Sequence, residues 1–429
     1  MELVLCIIYA LALAFVFYKW RYEQAKGVPQ YFFPLLFIVK CIAGIAYSYY
    51  LLTENKGGDM FWYMQETNYL FDSCRQQPIL FFKYVLGIED LSTTQITGAG
   101  ATPTWNKPDF FINDARTLIR VNLLIRLVSL GAWQVHTVVF CFISTLGFVY
   151  LSRFFSRIFN SNKTFTTLAI SLFPSVFLWT SLILKESLLV CFLGVFLFSL
   201  HKVVSRKAKT RTYFLTFIFF MLLLTVKPFV ILLLIPFLVA YYVCTEMQSA
   251  RWILMRWGVV VFFFWMLAVV VGNVSKDYSI PYRLYTQQQS SLKFAVFRGD
   301  KSYHKPPIIA PCWTSIIKRS PEAVYNALIL PLFNITDSYE KKAAALENIL
   351  LTAALIISVY FWWRLKIKNL NSVILCLLFA FVLLAVTGLT TAVIGALIRY
   401  KIIGILFISA FISYCFSAFL FNNKRKRIS

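Results

Sequence analysis

Asp59 lies in the segment KGGDMFWYMQETNYLF, behind Gly57 and Gly58 and just ahead of Phe61, Trp62 and Tyr63. Paired glycines permit a tight turn, and a carboxylate held there among aromatic rings can take the proton of an attacking hydroxyl. Asp59 could equally cap the helix that follows it. Trp62 and Tyr63 could stack on a sugar ring or belong to the aromatic belt of a membrane interface. Other charged groups come from distant segments: Lys185 and Glu186 in WTSLILKESLL, Lys227 before Pro228, Arg298, Asp300, Lys301, His304 and Lys305 in one run, and Arg399, Tyr400 and Lys401 in GALIRYK. Such cations can bind a phosphate and stabilise a departing oxyanion, or they can snorkel to a membrane interface. Glu186 is either a second catalytic carboxylate or the complement to the positive end of the helix it opens. A base with several cations is the equipment for moving a group from a phosphate to a hydroxyl.

No Walker loop, GxGxxG or HExxH is present, and there are only three histidines, His136, His201 and His304. His136 and His201 fall at the ends of apolar runs and read as structural. The nine cysteines form no CxxC, and seven of them lie in or beside apolar runs as small core residues. No cofactor or metal site follows from these spacings, and the use of a divalent metal stays open.

The elements that must position these residues are set by composition. Of 429 residues, 59% are apolar and only 14% charged, with a mean hydropathy of +0.71. That excludes a water-soluble enzyme, a disordered chain and a disulfide-rich secreted module. A span needs about 20 apolar residues. Apolar runs at about 3–18, 31–52, 133–151, 164–182, 187–201, 212–226, 228–244, 257–273, 346–363, 370–387 and 399–420 predict eleven transmembrane helices in one all-α polytopic domain over 1–429.

The net charge of +24 would suggest nucleic acid in a soluble chain, but here its distribution marks membrane sidedness and no nucleic-acid partner is expected. The first run is preceded by Glu2 and followed by Lys19, Arg21 and Lys26, which is not the layout of a cleavable signal. It predicts an N-terminus outside. Alternating from there, segments 19–30, 152–163, 202–211, 245–256, 364–369 and 421–429 are inside, and they carry 20 Lys/Arg against two acids, Glu23 and Glu246. This agrees with the positive-inside rule and puts the C-terminus in the cytoplasm. The long segments 53–132 and 274–345 are then extracytoplasmic loops, too long to be simple connections. Each has an amphipathic stretch, 112–131 with Arg116 and Arg120 on one face, and 315–333, which is similar after Pro321; both read as interfacial helices, or else as a short extra span or re-entrant segment. Cys74 and Cys312 fall in these two loops, where an oxidising compartment would permit a bridge.

The outer-face acid after an early span, the aromatic segment behind it and the interfacial helices together resemble the first extracytoplasmic loop of GT-C glycosyltransferases. Arg399-Tyr400-Lys401 at the start of the last span is similar to the RY-containing last span of many bacterial members. WTSLILKES and GGDMFWY also resemble multi-spanning proteins of bacterial capsule and exopolysaccharide assembly, including O-antigen polymerase-like proteins. The resemblance covers about 40 residues. It implies a GT-C-like fold in a bacterial inner membrane, a polyprenyl-phosphate-linked sugar donor, Asp59 as the catalytic acid-loop residue, and phosphate-binding cations among Lys185, Lys227, Arg399 and Lys401. The chain departs from the family in carrying the acid after the second span rather than the first, and its second acid would be Glu66 or Asp72. The competing expectation is a transporter or flippase of lipid-linked oligosaccharide, for which Lys40, the one clear charge inside an apolar run, is the main sequence feature.

Overall fold

The computed structural model describes residues 2–24, 27–54, 58–87, 114–247, 249–297, 303–332, 339–365 and 369–428. Among them every regular element is helical, and the one strand-like pairing is an isolated bridge between Tyr303 and Val393. In chain order the helices are α1 (Glu2–Gln24), α2 (Phe32–Thr53), α3 (Asp59–Gln76), α4 (Ile79–Leu86), α5 (Asp114–Ser129), α6 (Trp133–Phe159), α7 (Lys163–Ser171), α8 (Pro174–Trp179) and α9 (Lys185–Val204). They continue as α10 (Thr210–Val226), α11 (Pro228–Val243), α12 (Ala250–Val274), α13 (Ile280–Phe297), α14 (Trp313–Ile329), α15 (Tyr339–Arg364), α16 (Leu370–Thr390), α17 (Ile394–Tyr400) and α18 (Ile402–Ile428).

Among the described residues, eight helices are long and apolar enough to cross a membrane: α1, α2, α6, α9, α12, α15, α16 and α18. The described residues are all-helical apart from their connections, and the chain is a polytopic membrane protein. The other three expected spans take different forms. α10 and α11 are apolar but only 17 and 16 residues long, so each rises about 25 Å against a hydrocarbon core of roughly 30 Å. The run at 164–182 is broken into α7 and α8. Asn162 starts α7 by accepting from the backbone N–H groups of Thr164 and Phe165. Pro174, which disfavours helical backbone in the residue before it, restarts the chain as α8.

The chain divides into two compact units, Met1–Phe154 with Phe177–Ile231, and Phe155–Val176 with Leu232–Ser429, the divisions falling inside α6, α8 and α11. In the first unit α3 packs on α5, α4 rests on both, and α10 packs on α5 and α9. The segment 53–132 thus contributes a packed layer of three helices, of which the sequence pattern anticipated only α5. In the second unit α14 packs on α15 and α16, and α18 on α7, α15 and α16. The 274–345 segment likewise adds α13, which packs on α16.

α5 is oriented by its arginines. Arg116 is buried, Arg120 Nε donates to Tyr84 O at 3.2 Å, and Arg126 Nε donates to Asn68 Oδ1 at 3.0 Å, while Leu124, Leu127 and Val128 face outward. The polar face of the amphipathic stretch is therefore turned into the unit, where α3 and α4 supply acceptors. Lipid can cover the leucines at little cost.

Candidate functional site

The residues that open α9 are positioned by a stretch of irregular backbone. Thr180 to Leu184 connects α8 to α9, and all five residues are buried. Buried backbone outside a helix must find partners, most of all at membrane depth. Side chains from neighbouring helices supply them. Thr180 O accepts from Ser144 Oγ at 2.7 Å and Ser187 Oγ at 3.1 Å, Ser181 O accepts from Cys141 Sγ at 3.2 Å, and Leu182 O accepts from Ser187 Oγ at 2.8 Å. Lys40 adds its ammonium, donating to Thr180 Oγ1 at 2.5 Å and to Phe177 O at 3.4 Å, with the Phe148 and Phe177 rings 5.1 and 5.5 Å from it. Gly44 of α2 lets the segment approach, since a Cβ there would stand 2.2 Å from Ser181 O. WTSLILKESLL is thus a braced, buried turn that delivers Lys185 and Glu186 to a fixed place.

Glu186 is 1% exposed and accepts from Lys227 Nζ at 3.0 Å. Lys227 is itself buried, at the break between α10 and α11. Thr117 Oγ1 of α5 donates to Thr225 O two residues earlier, at 3.2 Å, and so ties that break to the 53–132 layer. Lys185 is half-buried, with its Nζ 5.7 Å from the centre of the Tyr63 ring. Tyr63 is buried on α3, one turn beyond Asp59.

Asp59 is exposed at the first position of α3, behind Gly58 at φ +130°. That φ favours glycine. A Cβ at Gly58 would meet nothing within 4 Å, so the requirement is conformational rather than one of space. Trp62 points outward with 37% exposure, its ring 5.1 Å from that of Tyr63. Of the two expected stacking residues, Trp62 has an open face and Tyr63 is covered. The first unit therefore brings together Asp59, Trp62, Tyr63, Lys185, Glu186 and Lys227 on α3, α9 and the α10–α11 break. Glu66, a candidate second acid, is buried on the same helix and Asp72 is exposed.

The second unit holds the remaining candidates. Lys401 is 1% exposed, and its Nζ donates to Asn348 Oδ1 at 2.6 Å and to Ala327 O at 3.0 Å. Asn348 in turn donates to Ile329 O and Leu330 O. Beside it, Glu347 accepts from the Ser175 backbone N–H at 2.8 Å and from Ser175 Oγ at 2.6 Å. Lys401 thus joins the end of α14 to α15. Arg399 is half-buried and Tyr400 partly exposed on α17, and Lys305 is exposed in the 303–311 segment. That segment runs along the start of α17 through His304 N donating to Ala392 O at 2.9 Å. Arg298, Asp300 and Lys301 lie outside the described residues, as does Gly57.

A third polar group was not anticipated from spacing. His136 Nδ1 lies 2.8 Å from Asn122 Oδ1, and its Nε2 lies 2.8 Å from Ser129 Oγ. The amide oxygen can only accept, so Nδ1 carries the proton and Nε2 accepts from Ser129. All three side chains are wholly buried, which denies a substrate access and makes the trio a lock on the α5–α6 corner. Cys74 is buried and Cys312 exposed, both as free thiols. Among the described residues no three His, Cys, Asp or Glu side chains gather as a metal site. No protein-family model, curated protein or solved structure matches the chain.

Proposed function

We propose that the protein is a membrane glycosyltransferase or polysaccharide polymerase that takes its sugar from a polyprenyl-phosphate-linked donor at the extracytoplasmic face of a bacterial inner membrane. The observation that carries this reading is the grouping in the first unit of an exposed carboxylate, Asp59, one helical turn from a ring covered by the Lys185 ammonium. In this mechanism Asp59 takes the proton of the acceptor hydroxyl as its oxygen attacks the anomeric carbon. The bond from that carbon to the donor's phosphate oxygen breaks, leaving its electron pair on the phosphate. Lys185 neutralises the charge that develops. Glu186, buried against Lys227, serves as the anchor of that lysine rather than as a base, and Trp62 offers the open ring on which a sugar can stack. The basic inner segments support the orientation, N-terminus outside and C-terminus cytoplasmic.

The test is consumption of a polyprenyl-phosphate-linked sugar by the purified protein, with release of polyprenyl phosphate. A flippase reading is favoured by two observations, the fully buried Lys40 and the interrupted backbone at Thr180–Leu184. Movement of an intact lipid-linked sugar across vesicles, with no bond cleaved, would put that reading in place of the transferase.

A further inference from the structure

The second unit contains a cavity of about 870 Å³ where the ends of α6, α11 and α15 meet the starts of α12 and α16. Its rim is preformed by hydrogen bonds. Ser372 Oγ donates to Ile158 O at 2.6 Å, Asn369 Nδ2 to Phe159 O at 3.1 Å, and Asn371 Nδ2 to Tyr241 O at 2.9 Å, while Asn371 Oδ1 accepts from Trp257 Nε1 at 2.8 Å. The lining is mixed. Thr245, Asn369, Asn371 and Ser372 give it polar groups, Trp362 and Trp363 give it indoles, and the rest is aliphatic. Trp363 is 75% exposed, and the Trp362 Nε1–H is buried with no acceptor among the described residues.

The surrounding charge is one-sided. Segments 155–163, 245–256 and 364–365 carry five Lys/Arg against one acid, Glu246. Arg157, Arg251 and Arg364 each adjoin a lining residue in sequence, and all three are exposed. A cavity in the size range of small-molecule sites, half polar and half apolar, with tryptophans of the kind that sit at headgroup level and exposed arginines one residue from its lining, suits an amphiphile with an anionic head. Basic pockets between helices recognise lipid headgroups in this way.

We propose that this cavity binds an anionic phospholipid of the leaflet that faces the basic loops, its phosphate held by the arginines that flank the lining and the start of an acyl chain against the aliphatic lining. The site does not depend on the transferase reading. The test uses the full chain, purified in detergent, with native mass spectrometry and thermal melting as readouts. Phosphatidylglycerol should stay bound and raise the melting temperature, and phosphatidylcholine should do neither. Arg251→Gln with Arg364→Gln, both at exposed positions where folding is not at stake, should lower phosphatidylglycerol retention several-fold, and Trp362→Phe should lower it less. Equal retention of the two lipids would overturn the proposal, as would full retention by the arginine double variant. A melting shift reproduced by inorganic phosphate alone would also overturn it, because the site would then recognise a free anion and not a lipid.

Discussion

Glu186 in the first unit and Glu347 in the second are both buried carboxylates, and each unit also buries a lysine close by in its own fold. They are satisfied in different ways. Glu347 takes the backbone N–H and hydroxyl of Ser175, and Lys401 gives its protons to a backbone carbonyl and the Asn348 amide. Every partner there is part of the helix framework. Glu186 faces Lys227 directly, and the neighbouring Lys185 covers an aromatic ring one turn from an exposed acid. A charge satisfied by backbone and uncharged side chains of packed helices holds those helices together. An ion pair beside exposed, chemically able groups sets a local field that a substrate can use.

The largest expected effect belongs to Asp59→Asn, which keeps size and hydrogen bonding but removes the proton acceptor. Turnover should fall by about 10²–10⁴ with lipid binding retained, read in a reconstituted transfer assay. Near-normal transfer would break the comparison in favour of a purely structural first unit. Lys227→Met comes next. It removes the ammonium that faces the buried Glu186 carboxylate, and breaking a buried pair on one side typically costs about 3–5 kcal/mol; thermal melting should recover when Glu186→Leu is added.

Lys401→Met sharpens the contrast from the other side. It leaves Asn348 Oδ1 and Ala327 O short of a donor, at about 1–3 kcal/mol for each group left unsatisfied, while the KM for donor should stay unchanged in the folded fraction. Arg399→Ala is the companion measurement. A raised donor KM there, with Lys185→Ala silent, would move the phosphate contact to the second unit.

The smallest effect is chemical and concerns the two loop cysteines. Burial pushes the Cys74 thiol up to about 11, whereas the Thr314 hydroxyl and then the Ser315 backbone N–H hold Cys312 below the ordinary thiol value. The lower value means more thiolate at a given pH, so maleimide should modify Cys312 at neutral pH, faster as pH rises towards its midpoint. Cys74 should react only after unfolding. Mass spectrometry of labelled peptides reads both, and labelling of Cys312 from outside intact cells also tests the orientation.

Much of this was legible in the chain itself. Long uninterrupted apolar runs leave little choice but a helix, because only a helix satisfies its own backbone in lipid. The eight described helices long and apolar enough to span, and the burial of Cys6, Cys41, Cys141, Cys191, Cys244, Cys376 and Cys415, follow from that local rule. The helical form of 114–129 and 313–329 was likewise written in their amphipathic period. What tertiary structure alone decided is where polar side chains find partners. Lys40 looked like an isolated charge in a span, yet it braces Thr180 from 140 residues away. Lys401 reads from sequence as a candidate phosphate contact and Glu186 as a candidate catalytic carboxylate. One is tied to Asn348 and the other to Lys227, at separations of 53 and 41 residues. Period and composition act over a few turns, whereas a buried charge is satisfied by whatever the fold brings beside it, and that pairing has no local signature.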